Sequence, residues 1–333
     1  MFNKIKQLIL NHSNQYKFYE SEYNKNQKLE EEVRENAKCL KKLQDEFKRY
    51  KIDNDRLVNS HYFLFNQLFV YNEIKPKPIV KLSRELTLEL LDFIGHVCEK
   101  HDLQWWMYGG TLLGAVRHGG YIPWDDDIDL CMMRQDYEKF YEIFQEEVSK
   151  HCLSENITIT NSRKTPTGIY LPFIKIEFRI DGKLFSFIDV FPMDYVTDVV
   201  EDYRNVHKRE NKLLCEKLNQ GQDRQTCLNE AFEMLHVSKV RTDILMIGVE
   251  ETVQLIYDFD TIFPLKTLKF EDRFYPCPND YEKDLQNLYG DNYMQIPKDI
   301  SSHGFYEHVS SHEDVYAKYD IAINKLHDIN QNF

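Results

Sequence analysis

From Leu29 to Leu68 the chain keeps one spacing. Leu29, Val33, Asn36, Leu40, Leu43, Phe47, Tyr50, Asn54, Leu57, His61, Leu64 and Leu68 follow one another at alternating intervals of four and three, and nine of these twelve are apolar. Neither Gly nor Pro interrupts residues 25–71. A 3.5-residue period held this long demands a long helix that buries a narrow stripe. With Leu29 counted as d, Asn54 falls at an a position, where a buried Asn sets register or oligomer state at some loss of stability. Two arrangements satisfy the stripe: an oligomerising coiled coil, or one helix folded onto the rest of the chain. We expect a homo-oligomer formed through the 29–68 stripe.

The prolines of Ile74-Lys-Pro-Lys-Pro-Ile-Val80 stop that helix and place a boundary after residue 73. A second amphipathic helix is expected over Lys81–His101, with Leu82, Leu86, Leu90, Phe93, Ile94 and Val97 on one face, as a packing element. We divide the chain into a helical segment 1–73, a core 74–200 and a mostly helical part 201–333 that completes the same domain.

Charge separates the same regions. Residues 1–100 hold 18 basic and 15 acidic side chains, whereas 101–333 hold 24 and 40, within a net charge of −13. An acidic body argues against nucleic acid as a partner. It binds anions best through bridging metal ions. Seven scattered cysteines without a C-x-x-C pair suit a reducing compartment, so a cytoplasmic protein is expected. No apolar run approaches a membrane span. Phe2, Ile5, Leu8 and Ile9 offer at most weak peripheral contact with the inner face of a membrane.

The chemistry concentrates after residue 104. Gln104-Trp-Trp-Met-Tyr108 reads as a strand, Gly109-Gly110 as a tight turn, and Thr111–Gly120 as a helix ending at glycine. Then comes Pro123-Trp-Asp-Asp-Asp-Ile-Asp129, four carboxylates in five residues. Such a group repels itself unless a cation lies between its members. If Asp127 enters a strand, Asp127 and Asp129 share a face and can hold a hard divalent cation. Asp189 is a lone acid in Phe187-Ile-Asp-Val-Phe191, and Lys175 a lone cation between Ile174 and Ile176. Lone charges in apolar strands call for a partner. An adjacent strand brings Asp189 to the pair.

The turn Gly109-Gly110-Thr111 presents backbone N–H groups and a helix N-terminus to an anion. Arg117 is a candidate phosphate clamp, with a solvated helix-end Arg as the alternative. His118 is either a proton shuttle or a structural residue, and Lys175 a second candidate phosphate contact. Trp105, Tyr121 and Trp124 are candidates for stacking a base or holding a quaternary ammonium, against the simpler reading as core. Metal-held carboxylates beside a phosphate cradle suit phosphoryl-type transfer.

The stretch Tyr108-GGTLLGAVRHGGYIPWDDDIDL-Cys131 closely resembles the signature of the LicD family, which includes bacterial phosphocholine transferases and is related to fukutin-type ribitol-phosphate transferases. The likeness continues through Arg134–Phe140, Ile188–Pro192, Phe263–Lys266, Leu288–Gly290 and Tyr293-Met294, across roughly 80–305. It implies an α+β, nucleotidyltransferase-like fold: a small mixed sheet with flanking helices, here preceded by a coiled-coil helix. It also implies transfer of a phospho-substituent from a CDP-activated alcohol to a glycan hydroxyl or a lipid-linked glycan precursor. Residue by residue, Asp127 and Asp129 match the D-x-D, Asp125 its preceding acid and Asp189 the third acid. Gly109, Gly110 and Thr111 match the turn. Near the end an expected arginine is missing before His303.

The expectation is therefore a transferase dependent on Mg²⁺ or Mn²⁺, most specifically of phosphocholine from CDP-choline, with CMP leaving. Asp125, Asp127, Asp129 and Asp189 would hold metal, and Asp189 alternatively serves as base. Nucleotidyl transfer with release of pyrophosphate, and a coiled-coil scaffold carrying an inactive body, are the competing readings.

Overall fold

Helix α1 runs from Phe2 to Tyr71 without a break. At 1.5 Å per residue its 70 residues extend roughly 105 Å. The stripe residues Leu29, Val33, Leu40, Leu43, Phe47, Tyr50, Leu57 and Leu64 show between 49% and 70% of their surface. The computed structural model describes residues 2–71, 77–165, 168, 170–297 and 314–333. Leu8, Ile9 and Leu68 have side chains outside the described residues, as does His303 entirely. Contacts group residues 1–72 as one unit and 73–333 as another.

The second unit opens with α2 (Pro78–Lys100), whose first residue is a proline that supplies helical φ where no N–H is needed. Its apolar face is wholly buried at Leu86, Leu90, Leu91, Phe93, Ile94 and Val97. Each such side chain contributes about 1.5–3 kcal/mol through removal from water. There follow β1 (Trp105–Met107), α3 (Gly109–His118), β2 (Ile128–Met133), α4 (Arg134–Lys150), β3 (Ile157–Thr160), β4 (Arg163–Lys164), β5 (Tyr170–Leu171), β6 (Ile174–Ile180) and β7 (Lys183–Val196). The rest comprises α5 (Tyr203–Asn219), α6 (Arg224–Met234), β8 (Val237–Ser238), β9 (Ile244–Ile247), β10 (Ile256–Asp258), α7 (Phe259–Ile262), β11 (Lys266–Phe270), β12 (Arg273–Cys277), α8 (Tyr281–Tyr289) and a final helix, α9 (Val315–Gln331).

The fold is α+β, built on a mixed sheet ordered β1-β2-β7-β6-β3. Only β2 and β7 run parallel along this path. The long β7 outlasts β6 and pairs at its far end with β8 and β9, and β10 extends β9. Part of the expected helical region 201–333 is thus strand. Ile244–Ile247 is a four-residue apolar run, too short for its period to reveal which element it forms.

Alternation along β2 and β7 divides the sheet. Ile128, Leu130, Met132, Ile188 and Val190 enter the main core with α2 and α9. Cys131, Met133, Phe191 and Met193 enter a second cluster with Trp106, Tyr108, Leu245, Ile247, Tyr257 and Phe263. Asp129 and Asp189 belong, by the period of two, to this second face.

Candidate active site

Register across three strands puts the chemistry in one row. Asp129 on β2 pairs with Asp189 on β7, which pairs with Lys175 on β6. Asp127 lies just before β2. Carboxylate oxygens of Asp127, Asp129 and Asp189 come within 4.8 Å of one another, and so do those of Asp125, Asp126 and Asp127. Oxygen sets of this kind suit a hard divalent cation.

Helix α3 points its N-terminus at this group. The Gly110 N–H donates to Asp129 Oδ2 at 3.2 Å, and the Asp129 N–H donates to Thr111 Oγ1 at 2.8 Å. Gly109 has φ of +54°, and a Cβ there would sit 2.7 Å from Asp129 Oδ2. A Cβ on Gly110 would lie 2.7 Å from Asp125 Oδ2. The glycines let the backbone approach the acids as no other residue can.

Electrostatics strain the group in the absence of a cation. Burial, then the charges of Asp127, Asp189 and Asp125, lift the Asp129 carboxyl well above its ordinary range, against the pull of the Gly110 N–H. Burial also raises Asp189, although Lys175 opposes it. The Lys175 ammonium is itself committed to Asp189.

Arg117 donates from Nε to His118 Nε2 at 2.9 Å, and from Nη1 to the carbonyls of Tyr293 and Gln295 at 3.0 and 3.1 Å. Burial and the neighbouring Arg117 and Arg84 hold His118 down to about 4, so it is a neutral acceptor at pH 7. Trp124 joins this pair, edge-on to His118 at 6.1 Å and 5.8 Å from the Arg117 guanidinium. Burial of the Tyr289 hydroxyl and the charges of Asp129 and Asp125 raise that phenol above its usual range.

Two of the aromatic candidates lie elsewhere. Trp105 is on the other face of β1, against Tyr275, and lines an open groove of about 570 Å³ between α2 and β11–β12. Strand alternation sends it away from Asp129. Tyr121 is 6% exposed, packed on Phe270, and its hydroxyl donates to the Arg84 carbonyl.

Arg84 is the residue that sequence reasoning missed. From α2 its Nη2 donates to the carbonyls of Ile122, Pro123 and Asp125 at 2.9, 3.2 and 3.1 Å, and its guanidinium lies 4.8 Å from the Tyr121 ring centroid. It thereby pins the loop that carries the acids. The signal was available: a cation among the buried positions of an apolar helix face. Arg134 opens α4. It binds Asp194 and Glu250, two buried acids, through four hydrogen bonds of 2.6–2.8 Å.

A strand, glycine turn and helix thus lead to paired acids at the start of the next strand, with a third acid on its parallel neighbour. Residues 102–217 match the family described as LicD/FKTN/FKRP, nucleotidyltransferase domain. Lipopolysaccharide cholinephosphotransferase LicD of Haemophilus influenzae is 26% identical over 242 residues, which are 63% of this chain and 89% of that protein. Ribitol 5-phosphate transferase FKRP of Homo sapiens is 44% identical over 48 residues, covering 14% of this chain but only 10% of FKRP. An uncharacterized protein, RP689, of Rickettsia prowazekii is 54% identical over 73 residues, 22% of this chain and 27% of its own. Among solved structures, terminal uridylyl transferase 4 from Trypanosoma brucei with bound UTP and UMP aligns with a TM-score of 0.18 at 10% identity, over 47% of this chain and 48% of that one. That overlap is too slight to compare the folds.

Proposed function

We propose that this chain transfers phosphocholine from CDP-choline to a hydroxyl of a cell-surface glycan or its lipid-linked precursor, dependent on Mg²⁺ or Mn²⁺ and releasing CMP. One observation carries the reading. Asp127, Asp129 and Asp189 meet at the N-terminus of α3, inside the stretch that matches the LicD/FKTN/FKRP model, in a chain 26% identical to a cholinephosphotransferase over 89% of that protein.

The three acids, with Asp125, would hold the cation. A divalent cation there supplies neutralisation of the donor's diphosphate and of the leaving oxygen. The chain's own residues do the rest. Gly109, Gly110 and Thr111 keep the helix N-terminus against the acids and the diphosphate. Arg117, in the last turn of α3 and fixed by the Tyr293 and Gln295 carbonyls, adds positive charge that Asp125 feels. Asp189 accepts the proton of the attacking hydroxyl, oriented by Lys175. Trp124 offers the choline an aromatic face. Among the described residues no helix is long and apolar enough to cross a membrane. Phe2 and Ile5, 89% and 52% exposed, suit peripheral contact at the cytoplasmic face with a lipid-linked acceptor.

Calorimetric titration with CDP-choline, CDP-ethanolamine, CDP-ribitol and CTP, with and without Mg²⁺, tests this. Mg²⁺-dependent binding of CDP-choline in preference to the others is the expected result. Preference for another CDP-alcohol overturns the choline assignment, and no binding of any donor overturns the transferase. The family's description as a nucleotidyltransferase domain favours a second reading, attack on the α-phosphorus with release of pyrophosphate. Binding of CTP alone, with pyrophosphate as product, would establish it.

A further inference from the structure

We infer that α1 pairs with α1 of a second copy as a parallel, in-register two-stranded coiled coil over Leu29–Leu64. The occupant follows from the helix itself. Eight apolar stripe residues stand between 49% and 70% exposed over five heptads. A heptad stripe kept for more than about three to four repeats is the signature of a coiled coil. Helical propensity alone leaves such a helix marginal in water, so its stability comes from packing the stripe.

Orientation follows from charge. Counting Leu29 as d puts Glu46 at g and Lys51 at the following e. In a parallel pair the g residue of one helix faces the next e residue of its partner, so Glu46 meets Lys51 twice. The remaining g–e pairs, Glu32 with Ala37, Cys39 with Gln44 and Asp53 with Val58, bring no like charges together. Antiparallel pairing behaves differently, because it sets g against g. The two antiparallel registers that overlap the stripe most fully place Glu46 against Glu46, or Glu46 against Asp53. Like charges there are unfavourable. Within its own helix Glu46 has Lys42 at 3.9 Å, a loose and exposed contact that leaves it available.

Parallel pairing also sets Asn54 against Asn54 at the a layer, where the two amides satisfy each other. A buried Asn at a selects two strands and one register. Both chains then leave the coil at the same end.

The full chain is tested directly. Sedimentation equilibrium at micromolar concentration should give twice the 40.0 kDa chain mass. Leu43→Glu combined with Leu57→Glu should halve that mass while near-ultraviolet circular dichroism of the body stays unchanged. A monomeric wild type, a trimer or tetramer, or a dimer that survives the double substitution overturns the inference. Orientation is read separately, with one stripe leucine exchanged for cysteine. Leu57→Cys, with the exposed Cys39 and Cys152 changed to Ser, should oxidise to a covalent dimer. In either antiparallel register the two positions 57 lie ~25 Å or more apart along the axis, at 1.5 Å per residue. Absence of the cross-link in a dimer therefore overturns the parallel arrangement.

Discussion

The Lys175 ammonium touches both carboxylate oxygens of Asp189, at 2.7 and 2.8 Å, with its nitrogen 3.6 Å from the Phe187 ring centroid. Both side chains are buried. Lys175→Met leaves Asp189 without this cation and should destabilise the protein by roughly 3–5 kcal/mol, the usual loss when one partner of a buried pair is removed. Added Mg²⁺ should then raise the unfolding temperature of the variant more than that of the wild type. Equal shifts would mean that Lys175 does not share Asp189 with a metal.

Asp129 carries the opposite imbalance, since its neighbours are mainly other acids. Its folded pKa is raised, so ionisation makes it a destabilising group as pH rises above the ordinary carboxylate value. Asp129→Asn should raise the unfolding temperature at pH 7 without metal and abolish turnover. Asp127→Asn should abolish turnover with the fold intact. Activity surviving in either variant would remove the acids from catalysis.

Arg84 ties the acidic loop to α2 by three carbonyl contacts. Arg84→Met keeps the stem and loses those bonds. Turnover should fall at least about tenfold, equivalent to ~1.4 kcal/mol of barrier. Mg²⁺ affinity measured by calorimetry should weaken in parallel. Unchanged metal affinity would confine Arg84 to packing.

Asp284 gives a pH signature. It is 2% exposed, its Oδ1 has no hydrogen-bond partner, and burial raises it to about 6 although the nearby Tyr257 hydroxyl opposes the shift. A raised carboxyl stabilises the fold below its unfolded pKa and loses that contribution as pH climbs through the folded value. Stability should therefore decline between about pH 4 and 6. Asp284→Asn should remove that part of the decline and add up to roughly 3 kcal/mol at pH 7, from a shift of about two pKa units. Denaturant unfolding of both proteins across this range checks it.

The same local rules explain what could be read beforehand. The glycine turn, the acids leading into β2 and the lone acid of β7 each lie in a short stretch with a stated chemistry, so they were legible as candidates. Lys175 was legible as a cation needing a partner, but its choice of Asp189 depends on the β6–β7 register. Trp105 was misplaced for want of that kind of information, since one residue along a strand reverses the face. Arg84 and Arg134 act across 38 to 116 residues of sequence, and no spacing rule reaches so far. Strands β8–β10 escaped because short apolar runs carry no period.

The matched stretch starts at residue 102, after α2 has ended. Yet the guanidinium that fastens the acidic loop comes from α2. A polypeptide begun at residue 102 would possess all four acids and the glycine turn while lacking the tether on the segment between them. Its acids would be complete as a set and loose as a geometry.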